Sequence, residues 1–482
     1  MKKSLVIFLC LLMLCSSLVS CAKVDVSGDK QNAVVNDATG ELSEVDEYIS
    51  YLAEKNDFRG KTFTWIGGGS QAPTDDEETG DLMSDALFHR QMEIEEKFLI
   101  DWQNFSPPES EGMVIHPVVE SVKQDVLAGT GAYDAGYGTA VAVCQPLFVQ
   151  SLLTDVSDYN TIDFDQEWWT QSLRSAYSID GAVYFLNGAI VTSNYLDAYG
   201  ILFSKKAQTN YAIEDLYALV KNGEWTFDKM FEVASAIPPN GNGAGAYRYA
   251  SPNGFAILFG CGLSVTQYDS HGIPYVPDTL PAEISDLADK FSFFFGSRSN
   301  TARGGGGEML GEGRVLFMFA TMQTAAEMRQ MEDVSFGILP IPKYDEQQKN
   351  YVSYAEPWIA FHAFVPRVTK DENVTDVVLE SMAALGVKHI KPAYYDNILK
   401  SRSTYDYESQ DMIDIIFATK IYDLLDVLAV GGGNNGDSTL VSTLKNAIVA
   451  DSSGLTSKYK MQARIVNLNI GEILDDIDRN RG

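Results

Sequence analysis

The sequence is poor in the residues that build metal centres, disulfide scaffolds and many catalytic sites. It has 5 cysteines and 5 histidines among 482 residues. The histidines lack metal-binding spacing, and neither an H-E-x-x-H motif nor a G-x-S-x-G nucleophile elbow is present. Cys144 and Cys261 lie far apart in apolar or small-residue surroundings. We therefore expect two buried free thiols and no metal or cofactor.

Long apolar runs and an excess of positive charge are also missing. The one extended apolar run, Leu5–Leu14, is shorter than the roughly 20 residues that a membrane-spanning helix needs. Lysine and arginine together number 36 against 66 acidic residues, which gives a net charge of −30. This balance argues against nucleic acid and against anionic membrane surfaces as partners.

The N-terminus has the pattern of a bacterial export signal. Two lysines precede the apolar run, and Leu18-Val19-Ser20-Cys21, which resembles a lipobox, follows it. We interpret residues 1–20 as a lipoprotein signal peptide, Cys21 as the lipidated first residue and the polar residues 21–44 as a flexible tether. A plain signal peptide with an incidental cysteine is the alternative. The expected location is the extracellular face of the cytoplasmic membrane, or the periplasm if the source has an outer membrane.

Alternating strand and helix patterns indicate an α/β fold. Lys61–Ile66, Ile100–Phe105 and Tyr133–Val143 are predicted strands, and segments with helical spacing separate them. Further along, Thr226 is a predicted helix N-cap, and the glycine-rich stretch Ser297–Gly313 is a predicted mobile loop. Acidic residues between Asp163 and Glu167 match half of a calcium loop without its glycine. A solvated turn is the simpler interpretation, and cation binding there is left open.

The stretch Gly311–Phe361 predicts strand, helix, strand, turn and strand in that order. With the Trp168-Trp169 segment and Lys391–Asp414, it resembles the extracellular solute-binding proteins of ABC importers, carbohydrate type, family 1. The resemblance covers about residues 62–477. It implies a two-lobed periplasmic-binding-protein-like fold of type II, with hinge crossings and a central cleft.

The resemblance also implies boundaries and a mechanism. One lobe would comprise 45–199 plus 345–390, and the other 206–338 plus 391–482. The segments Ile201–Lys205 and Ile338–Lys343 would be hinge crossings. The implied function is the capture of a sugar or oligosaccharide by hinge closure and its delivery to an ABC permease, by a monomeric protein that is not an enzyme.

Candidate ligand-binding residues follow from the rule that ligands of α/β sheets bind beyond the carboxyl ends of strands. A sugar site also needs carboxylates, amides and exposed aromatic rings together. These criteria select the following residues: Trp65, Gly68, Asp134, Tyr137, Asn187, Asn194, Asn253, Thr321, Gln323, Glu356 and Trp358.

Structural roles compete with these assignments. Trp65 could belong to the strand core, because it alternates with apolar Phe63. Trp168-Trp169 is better explained as a structural anchor than as a ligand stack. Met322 stands where the related proteins often present an aromatic ring, which points away from simple sugar stacking there. Glu356-Pro357-Trp358 is the strongest single patch, and its alternative is a loop acid beside a buried tryptophan.

Three other functions stay open at this stage. An extracellular glycan-active enzyme would need two opposed carboxylates, and 66 acidic residues always offer candidates. A binding lipoprotein for a non-sugar solute would share the fold and the cleft. A surface adhesion or sensory lipoprotein would carry no transported ligand.

Overall fold

The computed structural model describes most of the chain beyond its first 43 residues. The described residues are 44–67, 77–108, 116–239, 245–302, 304–329, 331, 334–399, 407–428 and 439–481. The chain divides into two compact units, Met1–Asp46 and Glu47–Gly482, and the second contains everything discussed below. The predicted signal peptide, Cys21, tether residues 21–43 and Gly68 lie outside the described residues.

The first principal sheet has four strands. They are β1 (Thr62–Ile66), β2 (Asp101–Phe105), β3 (Ala135–Thr139) and β12 (Phe361–Phe364), in the order β12-β3-β1-β2. The β1 strand runs parallel to both β2 and β3, whereas β12 is antiparallel to β3. A strand from late in the chain therefore completes a sheet that the early chain begins.

The second principal sheet has five strands. They are β4 (Tyr199–Ser204), β5 (Tyr247–Ala250), β8 (Thr301–Ala302), β9 (Val315–Thr321) and β10 (Phe336–Leu339), in the order β10-β4-β9-β5-β8. All seven residues of β9 are buried, which is why its sequence is continuously apolar rather than alternating. Two small sheets pair β6 (Gln267–Tyr268) with β7 (Pro274–Tyr275), and β11 (Ser353–Tyr354) with β13 (Lys420–Ile421).

Helices connect and cover these strands. In chain order they are α1 (Leu82–Phe98), α2 (Pro117–Ala128), α3 (Gln145–Val149), α4 (Gln171–Tyr177), α5 (Lys205–Asn210), α6 (Leu216–Lys221), α7 (Phe227–Ala234), α8 (Gly254–Gly260), α9 (Ala282–Phe295), α10 (Gly306–Glu312), α11 (Met322–Arg329), α12 (Glu372–Leu399), α13 (Tyr407–Ala418), α14 (Leu425–Leu428), α15 (Leu440–Val449) and α16 (Leu455–Arg481). A π-helix, Ala140–Cys144, and a 3₁₀ helix, Thr192–Tyr195, interrupt the regular elements.

The helix ends follow the expected capping chemistry. The Thr226 side chain accepts a hydrogen bond from the Lys229 backbone nitrogen and starts α7, as predicted. The Asn253 side chain caps α8 in the same way, through bonds from the backbone nitrogens of Phe255 and Ala256. These bonds satisfy donors that would otherwise lack partners in the first helical turn.

Two local predictions are wrong. The third predicted strand, Tyr133–Val143, ends at Thr139, and the chain turns into the π-helix because Val143 packs directly against Gly138, where a Cβ would lie 2.3 Å from the Val143 Cβ. The glycine-rich stretch Ser297–Gly313 contains β8 and α10 instead of a continuous loop. There, Gly305 and Gly313 flank α10 in left-handed conformations that favour glycine.

The mixed α/β class is confirmed, with parallel pairs in both principal sheets. Cys144 and Cys261 are buried free thiols. Within the described ranges, no helix has the length and apolar content to span a bilayer. The same residues, Asp163–Glu167 included, contain no group of three or more His, Cys, Asp or Glu side chains placed to hold a metal ion.

Candidate ligand-binding site

A buried polar cluster forms around Glu356, just after the small strand β11. The Tyr199 hydroxyl, at the start of β4, donates to Glu356 Oε2 at 2.9 Å. The Asn253 amide donates to the Tyr199 hydroxyl at 2.8 Å and to Glu356 Oε2 at 3.4 Å. Burial raises the pKa of Tyr199 well above its usual value, so the phenol stays protonated and able to donate. This cluster joins two of the predicted site residues, Asn253 and Glu356.

The second carboxylate oxygen of Glu356 differs from the first. Oε1 is buried without a hydrogen-bond partner, and the Lys445 ammonium lies 3.9 Å away. An ion pair at that distance is too long for a hydrogen bond. Buried polar atoms in folded proteins almost always have such a partner. Glu356 thus keeps unused capacity to accept a hydrogen bond from a donor that the protein itself does not supply.

Trp358 stands in the turn that follows Glu356, and it is the exception among the tryptophans. Its exposed fraction is 63%, while each of the other five tryptophans of the chain is at most 8% exposed. An indole of this size is rarely left in water without a role in binding. The predicted Glu356-Pro357-Trp358 patch therefore consists of a buried acid and an exposed ring.

A wall of aromatic rings lies on the first sheet. Trp65 and Tyr137 stack with centroids 5.4 Å apart and an interplanar angle of 10°, and Phe361 lies 5.8 Å from Tyr137. Trp65 and Tyr137 are 4% and 3% exposed. The stack needs glycine at position 67, because a Cβ there would come within 1.8 Å of the Tyr137 ring. Trp65 therefore has the buried position that its strand alternation suggests, and it also borders the small cavity described below.

Asn187 and Asn194 belong to a buried network centred on an ion pair. Lys420 Nζ contacts Asp197 Oδ1 at 2.9 Å, and the two side chains are 4% and 0% exposed. The same ammonium donates to Asn194 Oδ1 at 2.8 Å, while the Tyr422 hydroxyl donates to Asn187 Oδ1 at 3.1 Å. Burial lowers the pKa of Lys420 and raises that of Asp197, and their mutual attraction opposes both shifts.

This network connects to the Glu356 cluster through the backbone. The Glu356 nitrogen donates to the Asp197 carbonyl at 2.9 Å, and Ala198 and Ala355 form an isolated antiparallel bridge. The passages of the chain around residues 197, 355 and 421 are thereby held side by side. Asn187 and Asn194 sit in the structural part of this junction, with their oxygens already occupied.

The remaining predicted residues make local contacts. Asp134 is buried, its Oδ2 accepts from the Thr64 nitrogen at 2.8 Å, and burial raises its pKa. The Thr321 hydroxyl accepts from the Thr324 nitrogen at 3.3 Å, at the start of α11. The Gln323 amide contacts Glu327 at 2.9 Å. Met322, at the position where related proteins often present an aromatic ring, is fully buried.

Sequence reasoning missed Tyr199 and Lys445. Tyr199 is the one polar side chain before the apolar part of the strand YGILFS, and that position was a usable signal. Lys445 lies on α15, 89 residues after Glu356 in the chain (445 − 356), and no local pattern connects the two.

Comparison with known proteins gives relatives by structure only. No family model and no curated protein matches the sequence. Among solved structures, the chain is similar to the cyclic alpha-maltosyl-1,6-maltose binding protein from Arthrobacter globiformis, with a TM-score of 0.56 and 10% identity over 85% of this chain and 98% of that one.

Two further structures show the range of ligands among such neighbours. The galacto-N-biose/lacto-N-biose I-binding protein of an ABC transporter from Bifidobacterium longum, solved with lacto-N-biose, has a TM-score of 0.54 and 11% identity over 85% of this chain and 98% of that one. A Mycobacterium tuberculosis protein in complex with glycerophosphocholine has a TM-score of 0.52 and 13% identity over 86% and 98%. The chain therefore has the two-lobed α/β fold of solute-binding proteins, as predicted.

Proposed function

We propose that this protein captures a sugar or oligosaccharide outside the cytoplasmic membrane and delivers it to an ABC permease. The observation that carries the proposal is the pairing of exposed Trp358 with the unused acceptor of Glu356. Sugars present CH faces that stack on aromatic rings and hydroxyls that donate to carboxylates. The fold and the binding roles named for the neighbouring structures support the same function.

The proposed mechanism is closure of two lobes on the ligand. The lobes would comprise 45–199 plus 345–390 and 206–338 plus 391–482, with hinge crossings at Ile201–Lys205 and Ile338–Lys343. Glu356 hydrogen-bonds Tyr199 and Asn253, which adjoin elements of the second sheet, so a ligand donor at Glu356 would act on a cluster that bridges the two parts. A ligand that contacts both lobes only when they are closed shifts the equilibrium toward closure.

The remaining parts of the proposal concern the anchor, the partners and the chemistry. Lipidation at Cys21 would tether a monomeric protein to the outer face of the cytoplasmic membrane, or hold it in the periplasm of a source with an outer membrane. The permease would be a membrane partner, and nucleic acid would not be one. The protein would release its ligand unchanged, as a binding protein and not an enzyme.

A ligand screen tests the proposal. The chain carrying Cys21→Ser, which prevents lipidation, is purified and scanned by thermal shift and tryptophan fluorescence against mono- and oligosaccharides. A saturable shift with one or a few sugars is expected, with the sugar recovered intact. Cleavage of the bound sugar would indicate a glycan-active enzyme, and a response confined to non-sugar solutes would overturn the assignment of the ligand.

A further inference from the structure

A small cavity lies between the first sheet and the helices α1 and α12. Its walls include Trp65, Trp102 and Tyr137 from the strands, Arg90 from α1, Met382 from α12 and Thr192 from the 3₁₀ helix. Its volume of about 20 Å³ holds one or two water-sized groups, not a whole sugar ring. Any ligand part that enters must therefore be a compact substituent.

Arg90 brings a positive charge to this cavity with no acid to balance it. The residue is 6% exposed, and Nη1 donates to the Ile190 carbonyl at 2.7 Å and contacts the carbonyls of Ala189 and Met382 at 3.5 Å. Within the described ranges, no carboxylate pairs with it. Burial alone lowers its pKa to about 10. Buried arginines are almost always paired, because an isolated charge in a protein interior is costly.

The other guanidinium nitrogens are available for a ligand. A guanidinium has five N–H donors, and the described contacts of Arg90 use Nη1 alone. Nε and Nη2 are absent from the buried atoms without partners, so they keep some access to solvent. The carbonyl contacts thus explain how Arg90 is held, and they leave the fork-shaped part of its donor set unused.

Tyr137 provides a second unsatisfied group in the same wall. It is 3% exposed, and its hydroxyl is buried without a hydrogen-bond partner among the described residues. Its stacked neighbour Trp65 fixes the ring, so the hydroxyl cannot easily turn away to another partner. A buried cation and a buried hydroxyl in one cavity both call for an acceptor that the chain does not provide.

From this geometry we propose that the cavity receives a carboxylate group, and that the captured solute is an acidic sugar of the uronate type. A carboxylate is compact and planar, and it accepts two parallel hydrogen bonds from a guanidinium. The aromatic rings beside it suit the CH face of the sugar that carries the acid. This inference rests on the proposed sugar-binding function and specifies its ligand class.

The test compares matched acidic and neutral sugars on the Cys21→Ser chain. Calorimetric titrations at pH 7 use galacturonic acid, glucuronic acid and digalacturonate against galactose, glucose and a neutral disaccharide. The unsubstituted site should bind at least one acid about 10-fold or more tighter than its neutral counterpart, with an affinity that falls as salt rises. Tyr137→Phe should reduce this preference several-fold and leave any neutral binding unchanged.

Arginine variants separate charge from structure. Arg90→Gln should abolish the preference for the acid, and Arg90→Lys should restore part of it, because lysine keeps the charge without the planar fork. Arg248→Gln is the matched control, since Arg248 also donates to a backbone carbonyl, that of Ile237 at 3.0 Å, but does not line the cavity. If Arg90→Gln does not fold, the ratio for the unsubstituted site and the Tyr137→Phe result decide.

The outcomes for the two proposals are distinct. Neutral sugars that bind as tightly as their acids would overturn the carboxylate inference and leave the sugar-binding function standing. A preference for glucose 6-phosphate over every uronate would overturn it as well. Failure of the whole sugar panel, neutral and acidic, would overturn the proposed function itself.

Discussion

Two buried glutamates near tryptophans make opposite use of their carboxylates. Glu380, on α12, is fully buried and accepts four hydrogen bonds, from Trp168 Nε1 at 3.1 Å, Trp169 Nε1 at 2.9 Å, the Tyr48 hydroxyl at 3.0 Å and the Asp163 nitrogen at 3.3 Å. Glu356 is 7% exposed and accepts hydrogen bonds on Oε2 alone. The tryptophans beside Glu380 are buried, and the one beside Glu356 is exposed.

The difference separates an anchor from a binding site. Every oxygen of Glu380 is occupied by a donor of the chain, so the carboxylate fastens the segment around residues 163–169 to α12. Nearby, Asp376 strengthens the attachment by accepting from the nitrogens of Asn160, Thr161 and Ile162. Glu356 keeps one oxygen free, which costs stability unless a ligand donor uses it. Unused hydrogen-bonding capacity, and not the mere presence of acid and indole, marks the candidate site.

The largest expected effect is on the anchor. Glu380→Leu removes the acceptor for four donors, and each buried donor left unpaired costs about 1 to 3 kcal/mol. We expect the free energy of unfolding to fall by about 3 to 5 kcal/mol in urea denaturation, with the sugar affinity of the remaining folded protein unchanged. Glu346→Gln, at an exposed glutamate, is the control and should change neither quantity. A loss below about 1 kcal/mol would show that the four bonds do not stabilise the fold.

The pH dependence of stability sharpens the same point. Burial raises the pKa of Glu380 to about 7, although its four donors favour the ionised form. Folded protein therefore keeps a proton on Glu380 after the unfolded chain has lost it. The contribution of Glu380 to stability is complete below about pH 4.5 and declines as the pH rises to about 7, by about 3 kcal/mol in all.

Glu380→Gln isolates that contribution, because the amide does not titrate. The difference in unfolding free energy between the parent chain and this variant should fall as the pH rises from 4.5 to 7. A difference that is constant with pH would mean that Glu380 is ionised throughout this range in the folded protein.

The sequence allowed the anchor and the patch to be distinguished only in part. Adjacent tryptophans point in different directions from one stretch of chain, and this was enough to predict an anchor for Trp168-Trp169. Its acceptor, Glu380, lies more than 200 residues away and follows no local rule. The acid beside Trp358 was recognisable because three consecutive positions carry the pattern. Whether an oxygen of Glu356 stays free depends on Tyr199, Asn253 and Lys445, which only the folded chain brings together.

Strands were predicted better than the turns between them. The apolar runs at β1 and β9 specify buried strands directly, since only a buried sheet accepts such continuous or alternating patterns. The apolar run Ala140–Cys144 has the same composition but forms a π-helix, because its burial comes from folding back on β3. Composition therefore predicts burial at that point, and tertiary packing decides between strand and helix.

At the candidate site, Glu356→Gln should act on binding more than on stability. The amide keeps the shape of the side chain but removes the negative charge that a sugar hydroxyl would contact. Charge-assisted hydrogen bonds contribute about 1.5 to 3 kcal/mol, so the affinity for the sugar should fall about 10- to 100-fold in calorimetric titration. The melting temperature without ligand should change far less than for Glu380→Leu. Unchanged affinity would remove Glu356 from the site and break the contrast with Glu380.

The smallest expected effect concerns the exposed ring. Trp358→Ala removes stacking worth about 0.5 to 1.5 kcal/mol, so sugar affinity should drop about 2- to 10-fold, and Trp358→Phe should recover most of it. Because the other five tryptophans are at most 8% exposed, the ligand-induced change in tryptophan fluorescence should also largely disappear in both variants. Phe293→Ala, at a ring that is 76% exposed on α9, is the control and should leave affinity unchanged. If Trp358→Ala retains both the affinity and the fluorescence change, the exposed indole is not part of the site, and the buried aromatic wall of Trp65 and Tyr137 must account for the signal instead.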